Sequence, residues 1–204
     1  MENNIKNTAV PLQKVRISVS PAAAVLCIGL ILRGSWMPLC AAALHEFGHL
    51  LVMFMTGTRI ESIRIALPGA DISYSGCRSY GAQFICAAAG GIANAVGAAV
   101  CLLLWHKYGN AGLLDFAASC MGLAAVNLLP AFPLDGGMAL SALLCRFLSC
   151  DTAALVMNAI SKAVAVCIAL TAAYMLFYGI GGAAAVPMCA LCVLCWNGEN
   201  INEK

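Results

Sequence analysis

Residues 79–105 and 163–196 contain no charged side chain. A helix needs about 20 predominantly apolar residues to cross a bilayer, so the first run is long enough to span once. The second is long enough to span twice, and Gly179, Gly181, Gly182 and Pro187 divide it. Shorter uncharged runs cover residues 17–32 and 116–134, and Pro21 fits the first turn of the earlier helix. Residues 34–58 form another run, interrupted only by His45, Glu46 and His49. Composition agrees with this layout. The 204 residues are 62% apolar and 10% charged, against about 45–50% and 25% in a soluble domain. An ordinary soluble globule, a disordered chain and a nucleic-acid binder are excluded. A net charge of +2 offers no polyanion-seeking surface.

The runs predict an all-α polytopic membrane protein with about six transmembrane helices. A signal peptide at residues 17–32 is the competing reading for the first run. Arg33 directly follows that run and no small-x-small cleavage site appears, which favours a span. Between the second and third spans the character changes: Arg59-Ile60-Glu61-Ser62-Ile63-Arg64-Ile65 alternates polar and apolar, and Leu67-Pro68-Gly69-Ala70 supplies a turn. This predicts a short membrane-associated β-hairpin over about 59–75. Residues 1–16 are expected as a cytoplasmic lead, 17–196 as one intramembrane domain and 197–204 as a cytoplasmic tail, with residues 136–150 a short helix or re-entrant piece. With the N-terminus inside, Lys6, Lys14, Arg16, Arg59, Arg64, Arg78, Arg146, Lys162 and Lys204 are cytoplasmic, and only Arg33 and Lys107 fall outside. The absence of a targeting extension is consistent with a bacterial plasma membrane. Most of the 12 cysteines lie inside apolar runs, where cysteine acts as a small hydrophobe. Cys189, Cys192 and Cys195 resemble half a zinc site, but helical spacing rotates them around the helix and favours packing.

The chemistry concentrates in the second span, which reads His45-Glu46-Phe47-Gly48-His49. Residues four apart on an α-helix share a face, so both imidazoles point the same way and can bind one Zn²⁺. Glu46, beside the first, is placed as a general base. Ionisable groups in a membrane helix cost about 2.5–3.5 kcal/mol each and usually mark function. The alternative is a buried His–Glu cluster that only ties helices together. A catalytic zinc needs a third protein ligand and an open position. Asp135 is the best candidate, at the end of an apolar run broken by Pro130 and Pro133, with Gly136 and Gly137 permitting a tight turn. Broken backbone at membrane depth is tolerated where it is buried in protein or lines a watery cavity. A helix-capping role at the membrane surface is the other reading of Asp135.

His45-Glu46-Phe47-Gly48-His49 followed by Asn127-x-x-Pro130-x-x-x-x-Asp135-Gly136 resembles the site-2 protease family of intramembrane zinc metalloproteases. The resemblance spans roughly residues 17–196 and is to the small six-span bacterial branch, similar to the sporulation protease that processes a sigma-factor precursor. It implies one Zn²⁺ per chain on His45, His49 and Asp135, with Glu46 as general base. The activity it implies is hydrolysis of peptide bonds in membrane-embedded or membrane-tethered proteins. It also implies that Asn127 contacts the substrate backbone or the developing oxyanion. Gly90-Gly91-Ile92-Ala93-Asn94 is similar to the family's Gly-Pro-x-x-Asn segment, with Gly91 in place of proline, and gives Asn94 a related role. The partners expected are a membrane-spanning or membrane-tethered substrate, the lipid bilayer and regulatory membrane proteins, with no nucleic acid. A catalytically silent relative that binds membrane segments, and a transporter, are the competing functions.

Overall fold

The computed structural model describes residues 16–65, 70–75, 79–179 and 182–198. The expected polar lead before residue 16, the hairpin turn at 66–69, Arg78, Gly181 and the tail beyond 198 lie outside the described residues. The element order is β1 (Arg16–Val19), α1 (Pro21–Leu32), α2 (Met37–Met55), β2 (Arg59–Ile65), β3 (Ala70–Ser75), α3 (Tyr80–Tyr108), α4 (Ala111–Asn127), α5 (Asp135–Leu144), α6 (Cys150–Phe177) and α7 (Gly182–Asn197). The architecture is helical, with one small sheet. Among the described residues three helices, α2, α3 and α6, are long and apolar enough to cross a membrane; α1, α4 and α7 are shorter apolar helices. Large apolar side chains such as Leu32, Phe54, Leu103 and Phe177 face outward, as a lipid-facing surface requires.

The hairpin falls where alternation predicts it. β2 and β3 pair antiparallel, with an irregularity between Ile60 and Ser62. The sheet has a third strand that the sequence reading assigns to the first span. β1 pairs parallel with β2, Arg16 opposite Ser62 and Val19 opposite Ile65, so the order is β1-β2-β3. The first helix starts only at Pro21, capped by Ser20, whose Oγ accepts from the Ala23 N–H and whose own N–H donates to the Ile65 carbonyl at 2.8 Å. A second boundary also moves. α6 begins at Cys150, thirteen positions before the uncharged run, because Ser149 caps it through the Thr152 N–H. Lys162 therefore stands inside α6 rather than at its flank, so it is a weaker marker of the cytoplasmic side.

The core is built from small residues. α3 packs against α2, α4 and α5, while α6 packs against α7. Ala41, Ala98, Ala117 and Cys120 form one buried cluster; Ala131, Leu134, Ala165, Ile168 and Cys195 form another. Within α7, Cys189 is exposed, Cys192 half-buried and Cys195 buried, the rotation expected of packing residues. Without a strong hydrophobic drive between helices in lipid, small residues allow the close backbone approach that holds them. Gly48 is the clearest case, since a Cβ there would lie 2.7 Å from both the Ala89 carbonyl oxygen and the Ala93 Cβ.

Gly48→Ala should therefore lower stability by about 1–3 kcal/mol through overpacking. Gly122→Ala, where a Cβ would meet nothing within 4 Å, should be neutral or stabilising by up to about 1 kcal/mol. Thermal unfolding of both variants in one detergent checks the pair.

Candidate metal centre

Two helices and one helix start bring the polar side chains together. His45 and His49 lie one turn apart on α2 and are both buried, at 5% and 7% exposure. Asp135 is the first residue of α5. Its carboxylate is carried to the histidines by residues 128–134, which leave α4 and turn back. That turn holds because Ser161 of α6 accepts the Phe132 N–H at 3.0 Å, and because the two positions after Asp135 carry no Cβ. A Cβ on Gly136 would collide with the Leu128 and Leu129 carbonyls, and one on Gly137 with the backbone of Ala131 and Phe132. Neither glycine has a positive φ. Close approach, rather than the turn conformation expected from the sequence, is what they supply.

The three ligand-type atoms converge. Asp135 Oδ2 lies 2.8 Å from His45 Nε2 and 3.1 Å from His49 Nε2, and the two Nε2 atoms are 3.2 Å apart. The protonation pattern can be read from the far side of one ring. His49 Nδ1 is 2.8 Å from the Cys86 carbonyl oxygen. A carbonyl only accepts, so Nδ1 carries the proton and a neutral His49 presents an Nε2 lone pair to the cluster. A lone pair, a second imidazole nitrogen and a carboxylate oxygen sharing one point in an apolar interior are a donor set for a cation. The arrangement is compatible with a metal site formed by His45, His49 and Asp135.

Space for the rings comes from α3. A Cβ on Gly90 would collide with both imidazoles, so the absence of a side chain there is what lets the two rings sit against α3. Cys86 and Gly90 were not singled out as parts of the site by sequence reasoning. One is used through a backbone atom and the other through a missing side chain. The signal that could have found them is their spacing: residues 86, 90 and 94 follow one another at single-turn intervals along α3.

The remaining sequence-predicted residues are placed as follows. Glu46 is half-buried on α2, next to His45. Asn94 is fully buried on α3, with Nδ2 3.4 Å from His45 Nδ1. Asn127 is half-buried and ends α4, immediately before the returning loop.

No protein-family model and no curated protein matches the chain. Among solved structures it is similar to a Site-2 Protease from Methanocaldococcus jannaschii, with a TM-score of 0.65 and 20% sequence identity. The match covers 90% of this chain and 87% of that one. The likeness is one of fold, and it extends over nearly all of both chains.

Gly90→Ala should leave the helices assembled and lower the bound metal well below the wild-type ratio, because the new methyl displaces the two imidazoles. Metal analysis of the purified variant, alongside its circular dichroism, reads both halves of that expectation.

Proposed function

We propose that the chain is an intramembrane zinc metalloprotease acting on membrane-spanning or membrane-tethered proteins. The convergence of His45 Nε2, His49 Nε2 and Asp135 Oδ2, with Glu46 on the same helix, carries this reading. Two ligands on a tetrahedral zinc with bonds of about 2.0–2.1 Å lie about 3.3 Å apart. The observed separations are 2.8, 3.1 and 3.2 Å. Among the described residues three ligand-type side chains converge and no fourth does, which fits a catalytic rather than a structural zinc site. When bound, zinc supplies Lewis-acid polarisation of a carbonyl and lowers the pKa of water towards about 7.

The chain's own residues do the rest. His45, His49 and Asp135 hold the ion. Glu46 accepts a proton from the attacking water and returns it to the leaving amine nitrogen, so one carboxylate serves as base and then as acid. Asn127, at the end of α4, faces the substrate backbone or the developing oxyanion in this reading. A substrate helix must unwind before its amides can be cut. The outer strand β3 gives the unwound segment an edge to pair with. The motif resemblance further favours the small six-span bacterial branch, and with it a bacterial plasma membrane, cytoplasmic termini and regulated intramembrane proteolysis.

The decisive assay measures zinc content and cleavage of single-span membrane substrates for wild type and Glu46→Gln. About one zinc per chain in both, with cleavage in wild type and a loss of at least about a thousandfold in the variant, is expected. A thousandfold lies in the middle of the roughly 10²–10⁴-fold range usual for general acid–base catalysis. Chelation should abolish wild-type cleavage and added zinc restore it. Absence of zinc from metal-replete wild type would sink the reading; zinc without turnover on any substrate would favour the silent relative. Proline substitutions along β3 should slow cleavage of helical substrates more than cleavage of a short unstructured peptide. An equal effect on both substrates removes the strand from the route.

A further inference from the structure

The back of the His45 ring meets a side chain whose hydrogen bonding is incomplete. His45 turns Nε2 towards His49 and Asp135 and Nδ1 towards Asn94. Asn94 has 0% exposure, and its Oδ1 has no hydrogen-bond partner among the described residues. A buried carbonyl oxygen left unpaired costs about 1–3 kcal/mol. The amide nitrogen, 3.4 Å from Nδ1, can donate only if Nδ1 is bare. In that tautomer Nε2 carries the proton and donates it to Asp135, which suits the cluster without an ion. A metal on Nε2 requires the opposite tautomer, with the proton on Nδ1 and an acceptor facing it.

We propose that Asn94 is a positioning residue for the metal centre: with its amide turned over, Oδ1 accepts the His45 Nδ1–H and fixes the tautomer that leaves Nε2 free for the ion. The turn exchanges a weak donor contact for an acceptor contact: it pairs Oδ1 with the Nδ1–H and moves the amide nitrogen to the place Oδ1 held. It also makes the two histidines equivalent. His49 Nδ1–H is held by the Cys86 carbonyl at 2.8 Å, and His45 Nδ1–H by Asn94, one turn either side of Gly90. One stripe of α3 thus supplies acceptor, gap and acceptor, and sets both rings. Ligand histidines in metal sites almost always donate their second nitrogen in this way, and losing the partner typically weakens binding 10–100-fold. The resemblance gave Asn94 a substrate-facing role, whereas its full burial behind the ligand ring favours this one.

The proposal rests on the zinc reading of the same centre, and the test separates the two. Zinc affinity is measured by chelator competition on the full chain in detergent for wild type, Asn94→Asp and Asn94→Leu, with Co²⁺ absorption as a second readout. Aspartate can only accept, so Asn94→Asp should bind within about threefold of wild type or tighter and keep the wild-type Co²⁺ spectrum. Asn94→Leu should bind 10–100-fold more weakly. A tenfold loss in Asn94→Asp overturns the proposal even if the leucine variant does not fold, because a donating Asn94 is what that result requires. Wild-type affinity in Asn94→Leu overturns it equally, and leaves the zinc reading standing. Failure of wild type itself to bind zinc removes both.

Discussion

Polar side chains inside an apolar bundle must satisfy one another, since neither lipid nor alanine can hydrogen-bond them. In this chain nearly everything around the centre follows from that requirement. His45 and His49 face each other across one turn of α2, and their further partners are brought from elsewhere in the sequence. α3 brings a backbone carbonyl and an amide side chain. The break after α4 brings Asp135. The glycines at 48, 90, 136 and 137 mark the places where backbone had to approach closely enough for those contacts to form.

The same requirement explains how the centre is held. Asp135 stands at the start of a helix of ten residues, and its position depends on the returning loop rather than on a long rigid element. That loop is fixed from three sides: by Ser161 of α6, by the carbonyls that crowd Gly136, and by the buried cluster containing Ala131 and Leu134. α6 contributes no side chain to the cluster and still sets where Asp135 stands. α6 and α7 are packed against each other and, through Ala165, Ile168 and Cys195, brace the loop at Ala131 and Leu134 from behind.

Much of this was legible in the sequence, and the parts that were not have physical reasons. The apolar helices are written as uncharged runs, the hairpin as alternation from Arg59 to Ile65, and the buried cluster of His45, His49 and Asp135 as two short motifs. β1 was hidden because Ile17, Ser18 and Val19 continue an apolar run, and four residues are too few to tell strand from helix by period. α6 starts well before the uncharged run because a helix capped by Ser149 accommodates Asp151 and Lys162 within it. The contribution of Cys86 comes from a carbonyl that every residue carries, so its identity gave no sign of it. Gly136 and Gly137 were noticed for the wrong property, conformation instead of closeness.

The short first helix has a mechanical consequence. Its 12 residues amount to about 18 Å at 1.5 Å per residue, while the hydrocarbon layer is about 30 Å thick. Both ends are polar, one tied to the sheet through Ser20 and the other marked by Arg33. A helix that falls short is accommodated by lipid deformation and by flanking side chains reaching outward, at fractions of a kcal/mol per Å of mismatch. Arg33 is exposed and long enough to reach outward. Were α1 to cross the layer, the rest of the shortfall would fall on the lipid and thin the bilayer beside it.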